Sequence, residues 1–245
     1  MILITGATSG LGLHTSKYLM DRGYGVAGIG RNSQNLNKLS EQYGEQFVPV
    51  QADLLDFEGF SDLSVSLPIL TGIVFCAGVT RKDPIRFLNQ ERHLELININ
   101  VNSPLLLLSS IINNKKLSNG SSIVFIASTS GVNLGVNGLT SYAASKASMI
   151  GSVRCLASEL SRKKIRVNAL APAGLQTGMM HDKNDRKVAT NESISAEKRK
   201  YLLFNDFIDP DLVSGPIEFL LSNSSLAITG QTITVCGGSS LGPPW

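Results

Sequence analysis

A glycine-rich turn at the start of the chain constrains the fold more than any other feature. Residues 1–5 form a short apolar run, and Gly6-Ala-Thr-Ser-Gly10-Leu-Gly12 then opens a helical pattern that ends near Gly23. A strand, a turn and a helix in that order present backbone N–H groups and a helix N-terminus to an anion such as a pyrophosphate. A side chain in the turn would block the phosphates or require a forbidden dihedral angle. The residues of this predicted nucleotide-binding turn are Gly6, Thr8, Ser9, Gly10, Leu11 and Gly12.

Strands and helices alternate along the rest of the chain. Further strands are predicted over 24–30, 46–52, 71–78, 121–127, 165–171 and 229–235, with helices that include 88–112, 140–161 and 210–222. This alternation predicts an α/β fold, a Rossmann-type doubly wound parallel sheet of about seven strands with helices on both faces. We expect one domain over 1–245, since no linker or repeat interrupts the pattern. The polar segment 178–208 is predicted to be a substrate lid, with a surface loop as the alternative.

Composition and charge exclude several classes of protein. The net charge of +3 is not clustered as it is in proteins that bind nucleic acid. The densest basic run, Arg162-Lys163-Lys164 with Arg166, is interpreted as a solvated helix end, and a docking patch for an acidic carrier is the alternative. No apolar run approaches the ~20 residues of a membrane span, and a strand at the N-terminus leaves no room for a signal peptide. We therefore expect a cytoplasmic protein that binds neither nucleic acid nor membrane.

The cysteines and histidines predict no metal site. Cys76, Cys155 and Cys236 are dispersed and lack CxxC spacing, so neither a disulfide framework nor a zinc site is expected. Cys76 and Cys236 lie in apolar, strand-like segments and are expected in or near the core. The three histidines are scattered as well, and we assign no metal ligand.

Tyr142 and Lys146 are the main candidates for chemistry. They stand four residues apart in a predicted helix, so they lie on one face, one turn apart. A free tyrosine loses its proton near pH ~10, which is too high for an acid or base at neutral pH. A neighbouring ammonium favours the phenolate, so we expect Lys146 to lower the pKa of Tyr142. The alternative is a half-buried ring beside a lysine whose amine reaches solvent.

Polar residues near two other elements extend this candidate site. Ser128 follows the fifth strand, where its hydroxyl can donate to a substrate oxygen; a turn-forming serine is the alternative. Asn98, Asn100 and Asn102 interrupt an apolar helical pattern. A buried asparagine in a helix needs a partner, so the default interpretation is an exposed polar face, and the alternative is that one of them turns inward near the site.

Arg31 bears on the choice of cofactor. Dinucleotide folds that prefer NAD place an acid at the end of the second strand to hold the ribose 2′-hydroxyl, whereas an arginine there accommodates a 2′-phosphate. Arg31 follows that strand and no acid does, which favours NADP(H) over NAD(H), with a solvated loop arginine as the alternative. Asp53 and Leu54 follow the third strand at its carboxyl end, where ligands of open sheets bind.

Together these motifs resemble the short-chain dehydrogenase/reductase family, and in particular its 3-oxoacyl-(acyl-carrier-protein) reductase-like subgroup. The resemblance rests on Thr5-Gly-x-x-x-Gly-x-Gly12, Ala77-Gly78, Asn100, Ser128, Tyr142-x-x-x-Lys146 and the segment 228–238. It implies a catalytic tetrad of Asn100, Ser128, Tyr142 and Lys146. In the family the tyrosine exchanges a proton with the substrate oxygen, the serine polarises the carbonyl, and the lysine lowers the tyrosine pKa and binds the nicotinamide ribose. The asparagine backbone holds a water that relays protons.

The resemblance also implies the substrate class and the remaining cofactor contacts. Hydride passes between NADP(H) and a small-molecule ketone/secondary alcohol pair, with a carrier-bound 3-oxoacyl thioester as one candidate. The implied assembly is a homo-oligomer, dimer or tetramer, built on the helices 88–112 and 140–161. The implied contacts are Leu175 and Thr177 at the nicotinamide carboxamide, Asp53 and Leu54 near the adenine, and Ala77 and Gly78 near the adenosine ribose.

Three residues of this chain depart from the family pattern. Cys76 replaces an asparagine, Ala173 replaces the glycine beneath the nicotinamide, and Cys236 replaces an aspartate whose loss is expected to alter subunit contacts or lid support.

A non-catalytic dinucleotide sensor would need the glycine turn but not the tetrad. An epimerase or dehydratase on nucleotide sugars tends to carry a larger C-terminal domain. A keto-sugar, a steroid-like ketone and a small ketone fit the sequence as well as a thioester does.

Overall fold

A computed structural model describes residues 1–175 and 208–240 of the chain. Seven parallel strands form one sheet in the order β3-β2-β1-β4-β5-β6-β7. The strand order reverses between β1 and β4, and such a switch point opens a ligand crevice at the carboxyl ends of the strands. The strands are β1 Ile2–Thr5, β2 Val26–Gly30, β3 Phe47–Gln51, β4 Leu70–Phe75, β5 Leu117–Ile126, β6 Arg166–Pro172 and β7 Thr232–Val235.

Helices cover both faces of the sheet, which confirms the predicted α/β architecture. Neighbouring strand residues point to opposite faces: Leu3 packs in one core cluster with α3, α5 and α7, and Ile4 packs in the other with α1, α2 and α8. The helices are α1 Gly10–Met20, α2 Ser33–Tyr43, α3 Phe60–Ser66, α4 Gln90–Ile97, α5 Ser103–Asn113, α6 Thr129–Val132, α7 Thr140–Glu159 and α8 Pro210–Leu221.

Two of the differences from the predicted element boundaries bear on the candidate site. The helix expected over 88–112 is divided, because a π-helical turn at Asn98–Asn102 separates α4 from α5. Single π turns are frequent at functional sites, since they redirect one side chain and release backbone groups from the usual ladder. β4 ends at Phe75 rather than at Gly78, and the three residues after it leave the sheet toward the switch point.

The basic run at the end of α7 contains one residue that the sequence misplaced. Arg162, Lys163 and Lys164 are exposed, as expected of a solvated helix end. Arg166 is only 6% exposed, so its assignment to a solvated surface is wrong. It is the first residue of β6 and donates to the last carbonyls of α8, which have no partner within their own helix.

The segment Gln90–Asn113 is long and apolar enough to cross a membrane by length and composition alone. Its residues Leu107, Leu108 and Ile111 are buried in the core beneath the sheet. Core helices of globular proteins share this composition, and 39% of the most apolar part of this segment is buried.

Candidate active site

Three glycines in the turn between β1 and α1 are required by the backbone. Gly6 has φ +72° and Gly10 has φ +51°, a region that favours glycine. A Cβ on Gly12 would overlap the carbonyl oxygen of Gly6. Among the described residues, the N-cap Ser9 makes no side-chain cap to the 11-residue helix α1. The first N–H groups of that helix are therefore available to an anion, and the turn fits a pyrophosphate.

The predicted turn residues Thr8 and Leu11 point into the protein. A Cβ on Gly30 would overlap the side chain of Thr8, so Gly30 lets Thr8 close the turn onto β2. The carbonyl of Thr8 accepts a hydrogen bond from Asn35 Nδ2 at 3.1 Å. Leu11 is buried in the core. These two residues shape the turn from within, whereas Ser9 is exposed on it.

A cavity of about 540 Å³ opens beside Arg31 at the carboxyl ends of β2 and β3. Asp53 also lines it, but its Oδ1 already accepts a hydrogen bond from the N–H of Leu55 at 3.0 Å. Arg31 is exposed and forms no ion pair with another described residue. Leu54, expected near the adenine, follows Asp53 and packs its side chain in the core. The cavity therefore presents a guanidinium whose charge is available to an anionic group.

The segment after β4 joins the glycine turn to the candidate catalytic residues. A Cβ on Gly6 would lie 3.1 Å from the Cα of Ala77. A Cβ on Gly78 would lie 3.1 Å from Asn100 Oδ1 and 3.3 Å from Lys146 Nζ. The nucleotide-binding turn and the side chains of the tetrad are therefore neighbours across this short segment.

Asn100 is the asparagine that turns inward. It is 2% exposed, and its Nδ2 donates to the carbonyl of Val79 at 2.9 Å and to Ser145 Oγ at 3.0 Å. Its Oδ1 accepts from the N–H of Val79 at 2.8 Å. The side chain thus pairs with Val79 as a strand backbone would, and it holds the segment after β4 in place. Asn98 and Asn102 bond to each other at 2.8 Å.

Ser128 forms a turn, which is one of the two roles that the sequence left open. It is the N-cap of the short helix α6, and its Oγ accepts from the N–H of Ser130 at 3.2 Å. The same hydroxyl acts on Tyr142 and lowers the pKa of the phenol. Gly131 allows this contact, because a Cβ there would lie 2.8 Å from the backbone N of Ala147 in α7.

Lys146 is buried beside Tyr142. Its side chain is 5% exposed, and Nζ donates to the carbonyl of Ile126 at 2.8 Å and lies 5.9 Å from the centre of the Tyr142 ring. Burial lowers the pKa of Lys146 to about 8, and the nearby Cys76 opposes that change. Burial also raises the pKa of the Cys76 thiol to about 12, against the Lys146 charge. The cysteine that departs from the family pattern therefore stays protonated.

The expected lowering of the Tyr142 pKa is wrong for this arrangement. Burial raises the pKa of the phenol, and only Ser128 acts in the other direction. Burial of the phenol itself is the largest cause, and Lys146, whose Nζ lies 5.9 Å from the ring centre and donates to the carbonyl of Ile126, does not offset it. Burial disfavours both the phenolate and the ammonium, so the two neutral forms gain relative to the charged ones.

The region after β6 is only partly described. Leu175 forms a parallel bridge with Ile208, whose N–H donates to the carbonyl of Gly174 at 3.0 Å. Thr177 and the proposed lid, apart from Ile208, lie outside the described residues. The N–H of Ala173 donates to the carbonyl of Val235 at 3.1 Å. Within the described chain φ is not positive at Ala173. The backbone at this position therefore does not require a glycine, and alanine fits it.

Ser145 is a site residue that sequence reasoning missed. Its Oγ accepts from Asn100 Nδ2 and donates to the carbonyl of Tyr142 at 2.7 Å. It stands three residues after Tyr142 and one before Lys146, and that spacing places it close to both on α7. Together with Ser128, the arrangement puts a phenol, an amine and a hydroxyl beside an anion-binding turn, which suits proton exchange with a carbonyl or alcohol oxygen.

Comparison with known proteins agrees with this geometry. The profile of the short-chain dehydrogenase family matches residues 1–188. The 3-oxoacyl-(acyl-carrier-protein) reductase FabG of Rickettsia bellii is 30% identical over 96% of this chain and 95% of its own length. The 2-dehydro-3-deoxy-D-gluconate 5-dehydrogenase of Dickeya dadantii is 28% identical, with coverages of 96% and 93%.

A solved structure shows the same fold. The protein from Beutenbergia cavernae, described as an NAD(P)-dependent gluconate 5-dehydrogenase with NADP bound at low occupancy, superposes with a TM-score of 0.84. It is 27% identical, over 97% of this chain and 95% of that one. The family match covers well over half of the sequence, and the chain belongs to the short-chain dehydrogenase family, whose members are oxidoreductases acting on CH–OH and C=O groups.

Proposed function

We propose that this oxidoreductase transfers a hydride between NADP(H) and a ketone/secondary alcohol pair, with a 3-oxoacyl thioester as the leading substrate. The observation that supports the proposal is that Asn100 and Lys146 converge on Gly78, where an added Cβ would lie 3.1 Å from Asn100 Oδ1 and 3.3 Å from Lys146 Nζ. A bound dinucleotide supplies the hydride. The chain supplies the anion-binding turn, the proton donor and the groups that position both.

The burial of the phenol suits the direction of reduction. Because the pKa of Tyr142 is raised, the phenol holds its proton at neutral pH and can donate it to a substrate carbonyl oxygen. The Ser128 hydroxyl can donate to the same oxygen. Lys146, with a pKa of about 8, carries a proton at neutral pH, so a cation stands beside the phenol when it gives its proton up. Asn100 and Ser145 hold the backbone on either side of these groups.

Arg31 supports NADP(H) as the cofactor, since its charge is free among the described residues and faces the cavity at the ends of β2 and β3. We expect Arg31→Asp to weaken NADPH binding by roughly 10- to 100-fold and NADH binding far less, because a lost ion pair with a desolvated phosphate costs a few kcal/mol. Isothermal titration with both cofactors measures this. Arg162→Asp, the same charge change on the exposed α7 end, is the control. Equal affinity of the wild type for NADPH and NADH would contradict the assignment of NADP(H) as the cofactor.

The basic run at 162–164 lies at the far end of α7 from Tyr142. At 1.5 Å per residue, the helix rises by about 26 Å from Tyr142 to its last residue, Glu159, and the basic run follows that residue. A carrier held there would not sit beside Tyr142 of the same chain. The gluconate dehydrogenases among the relatives favour a second candidate substrate, a keto sugar acid.

We further propose a cytoplasmic homo-oligomer, a dimer or tetramer, that binds neither nucleic acid nor membrane. Leu94 of α4 and Leu106 of α5 support this assembly, because they are 44% and 45% exposed on the helices expected to pair. Sedimentation velocity of the wild type beside Leu94→Lys and Leu106→Lys tests it. A monomeric wild type would contradict it.

The decisive experiment is a screen of carbonyl substrates that follows NADPH absorbance. The panel contains an acyl-carrier-protein thioester, the same acyl chain on a small thiol, keto sugar acids and small ketones. Tyr142→Phe keeps the ring and removes the hydroxyl that donates the proton. This variant should bind NADPH normally and lose turnover by about 10²- to 10⁴-fold. Wild-type NADPH binding without turnover of any substrate would favour the dinucleotide sensor.

A further inference from the structure

The helix that carries Tyr142 begins without a cap of its own. Its N-cap is Leu139, which makes no side-chain cap hydrogen bond among the described residues, and its first turn contains no acidic residue. Tyr142 is the third residue of α7, so its ring position depends on this first turn. Uncapped helix ends fray, because their first N–H groups have no partner within the helix. Some other contact must hold the turn for the phenol to be well placed.

His93 supplies that contact from a different helix. Its Nδ1 lies 2.7 Å from Oγ of Ser141, the residue immediately before Tyr142. Ser141 is only 4% exposed, and a buried hydroxyl that loses its hydrogen-bond partner is costly. His93 stands in α4, 48 residues earlier in the chain. The bond therefore ties the start of α7 to a separate element.

The neighbouring residue of α4 holds the loop that leads into α7. Arg92 Nη1 lies 3.1 Å from Oδ1 of Asp83, which is 7% exposed. The N–H of Asp83 donates to the carbonyl of Gly138 at 2.8 Å. Gly138 has φ +82° and turns the chain toward α7, one helical turn before Tyr142. Arg92 and His93 thus brace the same short stretch of chain from two sides.

We propose that His93 is a positioning residue, which fixes Tyr142 for proton transfer through its hydrogen bond to Ser141. The inference rests on the proposed function, because it assigns Tyr142 the proton. His93 touches neither the phenol nor the glycine turn in the described contacts, so its effect passes through the backbone of α7. A displacement of ~1 Å at a reacting group costs about 10²-fold in rate.

Four variants test the proposal. His93→Phe keeps a ring and removes the hydrogen bond, Ser141→Ala removes the partner, and His93→Asn returns a polar atom near the position of Nδ1. His14→Phe is the matched control, because His14 also makes one side-chain hydrogen bond, to Asp211 at 3.3 Å on the other face. We expect kcat to fall roughly 10- to 100-fold in the first two variants. NADPH affinity should stay unchanged in both. A double variant that combines His93→Phe with Ser141→Ala should lose no more activity than either single variant, and His93→Asn should recover most of the rate.

A readout without turnover separates this inference from the proposed function. Carbon-13 tyrosine NMR, with the Tyr142 signal assigned by Tyr142→Phe, reports the ring environment whether or not a substrate is known. The signal should move in His93→Phe and Ser141→Ala and return in His93→Asn. Variants that lose folding stability yet keep both kcat and the Tyr142 signal would overturn the inference. An inactive wild type whose Tyr142 signal still responds would overturn the proposed function alone.

Discussion

Among the residues that the structure describes, two cations are buried, one at each end of the sheet. Lys146 lies at the carboxyl edge beside Tyr142 and is 5% exposed, while Arg166 opens β6 at the opposite edge and is 6% exposed. Burial lowers the pKa of both. They differ in their hydrogen-bond partners within the described chain. Lys146 Nζ donates to one oxygen, the carbonyl of Ile126, whereas the Arg166 guanidinium donates to three different oxygens.

The difference separates a cation placed for chemistry from one placed for structure. Arginine stays charged at any ordinary pH, so a buried Arg166 has to be stabilised by hydrogen-bond acceptors. It receives them from Ser225 and from the last carbonyls of α8, where the carbonyl of Leu220 also accepts from Ser122 Oγ at 2.7 Å. Lys146 is left with spare donors and a pKa of about 8, so it can exchange protons and bind a ligand. Fewer partners keep it reactive.

The largest expected effect sharpens this comparison at Lys146. Lys146→Met should lower turnover by about 10³-fold or more, because it removes the cation that stands beside Tyr142 and that we expect to bind the nicotinamide ribose. Steady-state kinetics with the best substrate of the screen measures it. Lys116→Met is the matched control, since Lys116 Nζ also donates to one backbone carbonyl, that of Leu67 at 2.7 Å, at the other end of the sheet. Retained turnover in Lys146→Met would contradict the claim that Lys146 is placed for chemistry.

At Arg166 the effect should fall on stability instead. Arg166→Met should lower the free energy of unfolding by about 3 kcal/mol, because it leaves buried carbonyl and hydroxyl groups without donors. Urea unfolding measures this, and turnover per folded molecule should stay within a factor of ~2. Arg162→Met, on the exposed end of α7, should change neither quantity. A methionine variant as stable as the wild type would show that the guanidinium is not structurally required.

The pH dependence of stability provides the next contrast. The folded-state pKa of Lys146 is about 8, below the ordinary 10.5, so the unfolded chain binds more protons between these values. The stability of the wild type should therefore rise with pH across this window, by up to about 3 kcal/mol from Lys146. Unfolding in urea at about pH 7 and about pH 9.5 should show the rise in the wild type and in Lys116→Met. In Lys146→Met the rise should be smaller; an equal rise would contradict the lowered pKa.

The smallest expected effect concerns one partner of Arg166. Ser225 Oγ accepts from Arg166 at 2.8 Å and donates to the carbonyl of Leu220 at 3.0 Å. Ser225→Ala should cost about 1 kcal/mol, since two other oxygens still hold the guanidinium. The exposed Ser224→Ala is the control. A loss as large as that of Arg166→Met would mean that the guanidinium is held mainly by this hydroxyl.

Most of the fold was accessible to sequence reasoning because strand and helix periods are local properties. The seven strands and the start of α1 follow from apolar runs and from glycines whose φ or packing excludes a side chain. The π turn at Asn98–Asn102 was not predicted, because its cause is the long-range pairing of Asn100 with Val79 rather than a local preference. The prediction that Arg166 is exposed was wrong for a similar reason. The residue is covered by α8, whose last turn lies more than 50 residues further along the chain.

The order of residue types along the chain determined the anion-binding turn, the alternation of the doubly wound sheet and the family. Those features depend on backbone geometry and spacing, which each segment carries by itself. Only the tertiary structure decided that the Tyr142 pKa is raised, that Ser145 and His93 support the first turn of α7, and that Arg166 is buried. Burial and hydrogen-bond partners come from segments distant in the sequence, and they control the energy of a charge.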